Sequence, residues 1–168
     1  MSAVPGRPLP LVTDENEFFW TSGADGTLES FLKAHLSRLR ASDYVGLLAY
    51  LARDAANAAP LQQSRLAVRD RCRVATCLEF GPRFLHSTGQ AYKGGPDSGV
   101  FLQITSDDAA DLAIPGQRAS FGVVKAAQAR GDLGVLTERG RRALRVHLKG
   151  DLAAGLAALG AAIERALG

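Results

Sequence analysis

RVATCLEFGP, residues 73–82, is a short apolar run with β-branched members, closed by Gly81-Pro82. Its length, composition and Gly-Pro stop fit a buried strand. FLHSTGQAYKGG, residues 84–95, follows as a polar, glycine-containing turn that opens a helix, and GVFLQIT, residues 99–105, is a second strand. Downstream, residues 106–111 read as a loop and 112–114 as a short strand or edge. Residues 120–130 are helical, with Phe121, Val124 and Ala127 on one face, and 133–141 form another helix. Residues 143–148 (ALRVHL) are a further strand, and 152–167 a terminal amphipathic helix rich in alanine and leucine. Strands alternating with helices predict an α/β layered domain with a mostly parallel sheet flanked by helices.

Upstream of residue 73 the pattern reads as helical. Leu28, Phe31, Leu32, His35, Leu36 and Leu39 recur at helical spacing behind Thr27 as N-cap, with Ser30 where a capping-box Glu is preferred. A second helix is expected behind Ser42, with Val45, Leu47, Leu48 and Leu51 on a broad buried face. A third runs from Pro60 to Arg71 around Leu61, Leu66 and Val68. The N-terminal third is therefore expected to be helical. Residues 1–17 read as a proline-rich extended lead-in, and 18–168 as the domain.

The 168 residues are 46% hydrophobic and 22% charged, a composition that excludes a disordered chain. The formal charge of +3 is a mild basic excess. Local clusters at Arg65, Arg69, Arg71 and Arg73, and at Arg139, Arg141, Arg142 and Arg145, suit a phosphate or nucleic-acid patch. A solvated helix face is the plainer account of them, and no nucleic-acid partner is expected. Cys72 and Cys77 stand five apart in a run read as strand; odd spacing sends them to opposite faces, so they are expected as reduced structural thiols. His35, His86 and His147 are too far apart for metal-ligand spacing, and neither metal nor other cofactor is expected. The N-terminus lacks the charged and apolar regions of a signal peptide, and no apolar run approaches the roughly 20 residues that span a bilayer. A cytoplasmic protein without membrane contact is the expectation.

Ligands of open α/β sheets bind beyond the carboxyl ends of strands. Ser87, Thr88, Gly89 and Gln90 lie there, at a turn whose N–H groups and hydroxyls suit a phosphate; the plainer alternative is that Ser87 and Thr88 only cap a helix. His86 adds a group that titrates near neutrality. Lys93, in a glycine-rich loop, and Lys125, near the start of a helix where a cation opposes the dipole, are candidate anion ligands. Asp107, Asp108 and Asp111 read as solvated or capping residues. No dinucleotide fingerprint, Walker A loop or nucleophile elbow is present.

Several strings in register extend this reading: RVATCLEFGPRFLHSTGQAYKGGPDSGVFLQIT, SFGVVKAAQARGD and ERGRRALRVHL, preceded by FLKAHLSRLRASDYVGLLAYLAR. Together, over roughly residues 18–167, they resemble the C-terminal segment of phosphoglucose isomerase as found in transaldolase–phosphoglucose isomerase fusions. The resemblance implies a sugar-isomerase domain that binds a phosphosugar in glycolysis and gluconeogenesis. The implied reaction interconverts glucose 6-phosphate and fructose 6-phosphate through ring opening and an enediolate. Ser87-Thr88-Gly89-Gln90 is similar to the Thr-Asn-Gly-Gln stretch of conventional isomerases. Ala91 stands where the ring-opening histidine follows it there, which leaves His86 as the nearest replacement. Lys125 is similar to a lysine on a late helix of that family. The base glutamate belongs to a Glu-Ser-Thr/Asn-Gly-Lys motif that this chain lacks. The resemblance thus implies half of an active site, inactive alone, completed by an N-terminal isomerase domain or another chain, with a homo-oligomer as a further option. A non-catalytic sugar-phosphate-binding or protein-interaction module is the alternative.

Overall fold

The apolar run from Tyr44 to Tyr50 is the centre of the molecule, and it is a strand. The structure, a computed structural model, describes residues 9–13, 16–20 and 27–168, with side chains from residue 27 onward. Its elements are β1 (Leu9–Thr13), β2 (Asn16–Trp20), α1 (Leu28–Leu36), β3 (Tyr44–Tyr50), α2 (Ala55–Cys72) and β4 (Ala75–Phe80). After a short 3-10 turn (Arg83–His86) come α3 (Thr88–Gly94), β5 (Gly99–Ser106), α4 (Phe121–Glu138), β6 (Arg142–Leu148) and α5 (Leu152–Leu167). The sheet is all-parallel in the order β4-β3-β5-β6. This is the mostly parallel, helix-flanked α/β layering expected from the alternation of elements.

The expected second helix over Val45–Leu51 is corrected by β3. Ser42 does not cap a helix; its φ of +69° turns the chain into the strand. Val45, Leu47 and Ala49 face a core built with α1, α2 and α5, while Leu48 and Tyr50 face one built with α3 and α4. A strand buried on both faces shows no polar alternation, so its apolar run mimics a helix. Three further boundaries differ. The helix expected from Pro60 begins at Ala55, where the Asp54 carboxylate caps the Asn57 N–H at 2.8 Å, and Cys72 ends that helix instead of lying in a strand. The two helices expected over 120–141 are one, α4, which runs through Gly131-Asp132 to Glu138 with Asp132 accepting from the Tyr50 hydroxyl. Finally, the short strand expected at 112–114 is a single bridge between Ala113 and Ser120.

Ser30 does complete the capping box of α1, its hydroxyl accepting from Thr27 N–H while Thr27 Oγ1 accepts from Ser30 N–H. β1 lies in the expected lead-in and pairs antiparallel with β2, which straddles the expected boundary at residue 17 and lies beside β6; of the lead-in, residues 1–8 and 14–15 lie outside the described residues. Cys72 and Cys77 are free thiols.

At the amino end of the sheet the charges are spent on the fold. Arg142, only 2% exposed, binds the Asp43 carboxylate and donates to the carbonyls of Arg38 (3.0 Å) and Asp97 (2.8 Å). Arg141 donates to the carbonyls of Lys93 and Gly95 at 2.8 and 2.6 Å. One arginine ties together the segments that enter β3, β5 and β6, and the other ties down the end of α3. The reading of Arg139–Arg145 as a solvated face is therefore corrected at Arg142 and Arg145, both buried.

Candidate functional site

β3 is followed by a crossover to β4 on one side, and β5 by a crossover to β6 on the other. Right-handed crossovers running in opposite directions put α2 and α4 on opposite faces. Their loops therefore separate at the carboxyl ends of β3 and β5, which is where such sheets hold ligands. An open cleft of about 660 Å³ lies there, over β5 and β6 and against the first two turns of α4. Its lining includes Tyr50, Lys125, Arg130, Arg145, His147 and Lys149 as well as three aspartates.

Strand alternation sets the floor. Arg145 and His147 lie two apart in β6 and reach the same side. The Arg145 Nε donates to Gln103 Oε1 at 2.7 Å, and the fully buried Gln103 amide in turn donates to the Ala129 carbonyl at 3.0 Å. A guanidinium is thus held in fixed orientation by β5 and α4. His147 Nδ1 lies 2.9 Å from Thr105 Oγ1, and its Nε2 lies 3.4 Å from Asp107.

The wall is the amino end of α4. The Asp111 carboxylate accepts from Gly122 N–H and Leu112 N–H, at 2.7 and 2.8 Å, and from the Ser120 hydroxyl. These donors, Ser120 first and Gly122 next, hold its carboxyl below the usual carboxylate range. A Cβ at Gly122 would stand 2.7 Å from the Asp108 and Asp111 oxygens, so a larger residue there would displace both carboxylates. Lys125, one turn further along, is ion-paired with Asp108.

The sequence candidates divide into three places. Lys125 lines the cleft. His86, Ser87, Thr88 and Gln90 are exposed on a separate turn at the carboxyl end of β4, around the buried Gly89. There the Gln90 amide donates to the Leu85 carbonyl at 2.6 Å, and the Ser87 hydroxyl to the Phe84 carbonyl at 3.3 Å. Lys93 is in neither place; it pairs with the buried Asp132 under α3. Tyr50 connects all three. Its ring stacks edge-on against Phe84 below the turn, its hydroxyl donates to Asp132 at 3.0 Å, and it also lines the cleft. Burial, reinforced by the Asp132 charge, pushes the Tyr50 phenol well above its ordinary value, so it remains a donor.

His147 and Tyr50 were not singled out as site residues from sequence, and Arg145 was named only within a cluster of four arginines. The signal for Arg145 and His147 was the period-2 spacing inside ALRVHL together with their place at a strand's carboxyl end. Among the described residues no group of three His, Cys, Asp or Glu side chains is arranged to hold a metal ion, and no helix is long and apolar enough to cross a membrane.

No family model matches the chain, and neither does any curated protein. Among solved structures it is similar to the crystal structure of a hypothetical protein, TT0462, from Thermus thermophilus, with a TM-score of 0.67 and 17% identity. The match covers 83% of this chain and 39% of that one, so the chain spans about two-fifths of its neighbour's length. At this identity the likeness is one of fold.

Proposed function

We propose that this chain is the C-terminal domain of a cytoplasmic glucose-6-phosphate isomerase, supplying part of a phosphosugar site and inactive by itself. The observation that carries the reading is the cleft at the strand switch point, where Lys125, Arg145 and Lys149 accompany His147, and where the three aspartates of the lining each face a partner of their own. A sugar phosphate needs cations for its phosphate and donors for its hydroxyls, which this lining offers. Proton transfer between C2 and C1 needs a base within hydrogen-bond reach of the carbon acid. Asp108 is paired with Lys125, Asp111 caps α4, and Asp107 faces His147. Glu79 lies in β4 and accepts from the Tyr92 hydroxyl at 3.4 Å, away from the cleft. The base must then come from another domain or chain. In this reading His86 is the acid–base group for ring opening, and Ser87, Thr88, Gly89 and Gln90 are further phosphosugar contacts on the separate turn at the carboxyl end of β4, outside the cleft's own lining.

The test is a glucose 6-phosphate isomerisation assay on the chain alone and with a candidate N-terminal partner, alongside calorimetry with glucose 6-phosphate. Expected are binding without turnover by the chain alone, and turnover on adding the partner. Turnover by the chain alone overturns the missing-base reading, and absence of binding overturns the phosphosugar site. A second reading, a protein-interaction module, is favoured by exposed apolar side chains at the cleft's rim: Leu112 (70%), Phe121 and Val123 (57% each).

A further inference from the structure

The two edges of the parallel sheet are treated differently. β6 has β2 beside it, whereas β4 pairs only with β3 among the described residues. Gly81 N–H donates inward to the Ala49 carbonyl at 2.8 Å, and the Thr76 carbonyl accepts from Arg65 on the outer side at 3.3 Å. Backbone groups alternate along a strand, so Thr76, Leu78 and Phe80 direct their N–H and C=O outward. Arg65 covers only the first of these. Parallel sheets are ordinarily buried, yet every β4 side chain from Thr76 to Phe80 is partly exposed. Along this edge runs a groove of about 550 Å³, lined by Arg53, Arg65 and Arg83 with Gln62. None of the three guanidinium groups lies within ion-pair distance of a carboxylate among the described residues, and the single acid in the groove is Glu79.

We propose that the β4 edge is a docking site for an acidic extended segment of a partner protein, which adds a fifth strand to the sheet. Backbone hydrogen bonds to Leu78 and Phe80 hold such a segment, and carboxylates at its alternate positions meet Arg65, Arg53 and Arg83. Charge selects this occupant over a second copy of the chain, because two β4 edges brought together would set the three arginines against their own duplicates. The proposal is independent of the phosphosugar reading, since the groove shares no residue with the cleft.

The experiment uses the full chain and a fluorescent, capped nine-residue peptide alternating glutamate and valine, with a lysine–valine peptide as counterpart. Expected are saturable binding of the glutamate peptide alone, and slowed hydrogen exchange at the Leu78 and Phe80 amides on binding. Affinity should fall at least about tenfold in the exposed double variant Arg53→Glu, Arg83→Glu, checked for folding by circular dichroism. Equal binding of both peptides, no binding, or unchanged exchange at 78 and 80 overturns the proposal. So does self-association that protects the same two amides, which would assign the edge to a second copy.

Discussion

The two ends of one parallel sheet carry similar charges and use them in opposite ways. At the amino end Arg142 is buried, bound to Asp43 and to two carbonyls, so its charge is consumed in joining three segments. At the carboxyl end the partly exposed Lys125 lines an open cleft to which water or a ligand has access, above the buried Arg145 of its floor. The two histidines repeat the contrast. His35 is sealed beneath the sheet with its Nε2 3.0 Å from the Phe101 carbonyl, whereas the partly exposed His147 faces Asp107 across the cleft. Charge at the first end should therefore govern stability, and charge at the second should govern binding.

The hardest test of this division is Arg142→Met. Removing one partner of a buried pair leaves the Asp43 carboxylate without its counter-charge, held only by the Arg40 N–H at 2.7 Å, and takes a donor from two carbonyls, with an expected cost of about 4 kcal/mol. Urea unfolding should register that loss as a lower midpoint. A cost below about 1 kcal/mol would mean that the amino end is no more committed to the fold than a surface pair.

Acid should open the same end. Burial, with the nearby Arg38 charge, lowers the His35 pKa from 6.5 to about 3. The unfolded chain takes up a proton near pH 6.5 that the folded chain refuses, so this stability is complete above that pH and is lost as pH falls toward 3. The expected loss is about 2 kcal/mol at pH 5 relative to neutrality. The variant His35→Gln, which retains a donor for the Phe101 carbonyl, should flatten the stability profile over that range. An unchanged slope would assign the acid sensitivity to other groups.

The sequence made the layered fold legible between residues 73 and 105 because strand, stop, turn and strand are punctuated there by Gly81-Pro82 and by the 94–95 glycine pair. It hid β3 because burial on both faces removes the period-2 signal. It also hid the role of the arginines, since a buried Arg142 and an exposed Arg139 look alike until the strand's register is known. Of the candidate site, Lys125 was legible as a cation placed against a helix dipole. Lys93 looked equally available, and only the inward turn of Asp132 shows that it is engaged. The cleft floor was not legible, because Arg145 owes its position to Gln103 on a neighbouring strand.

Tyr50 lies between the two regimes, buried yet lining the cleft, so Tyr50→Phe sharpens the boundary. It removes the hydroxyl bonded to Asp132 while Lys93 still compensates that carboxylate. The expected cost is about 1 kcal/mol in chemical denaturation. A loss as large as that of Arg142→Met would show that the turn at 86–90 and α4 are joined chiefly through this hydroxyl.

The smallest effect on stability should come from Lys125→Ala, and it is the most informative for function. Lys125 and Asp108 are both partly exposed, so solvent screening limits their ion pair to about 0.5 kcal/mol. The same substitution removes a cation from the cleft's wall. If that charge serves an anionic ligand, inorganic phosphate should raise the melting temperature of the unmodified chain more than that of the variant, and added salt should narrow the difference. A variant that loses several kcal/mol, or one stabilised by phosphate as much as the parent, would place Lys125 with Arg142 among the charges that build the fold.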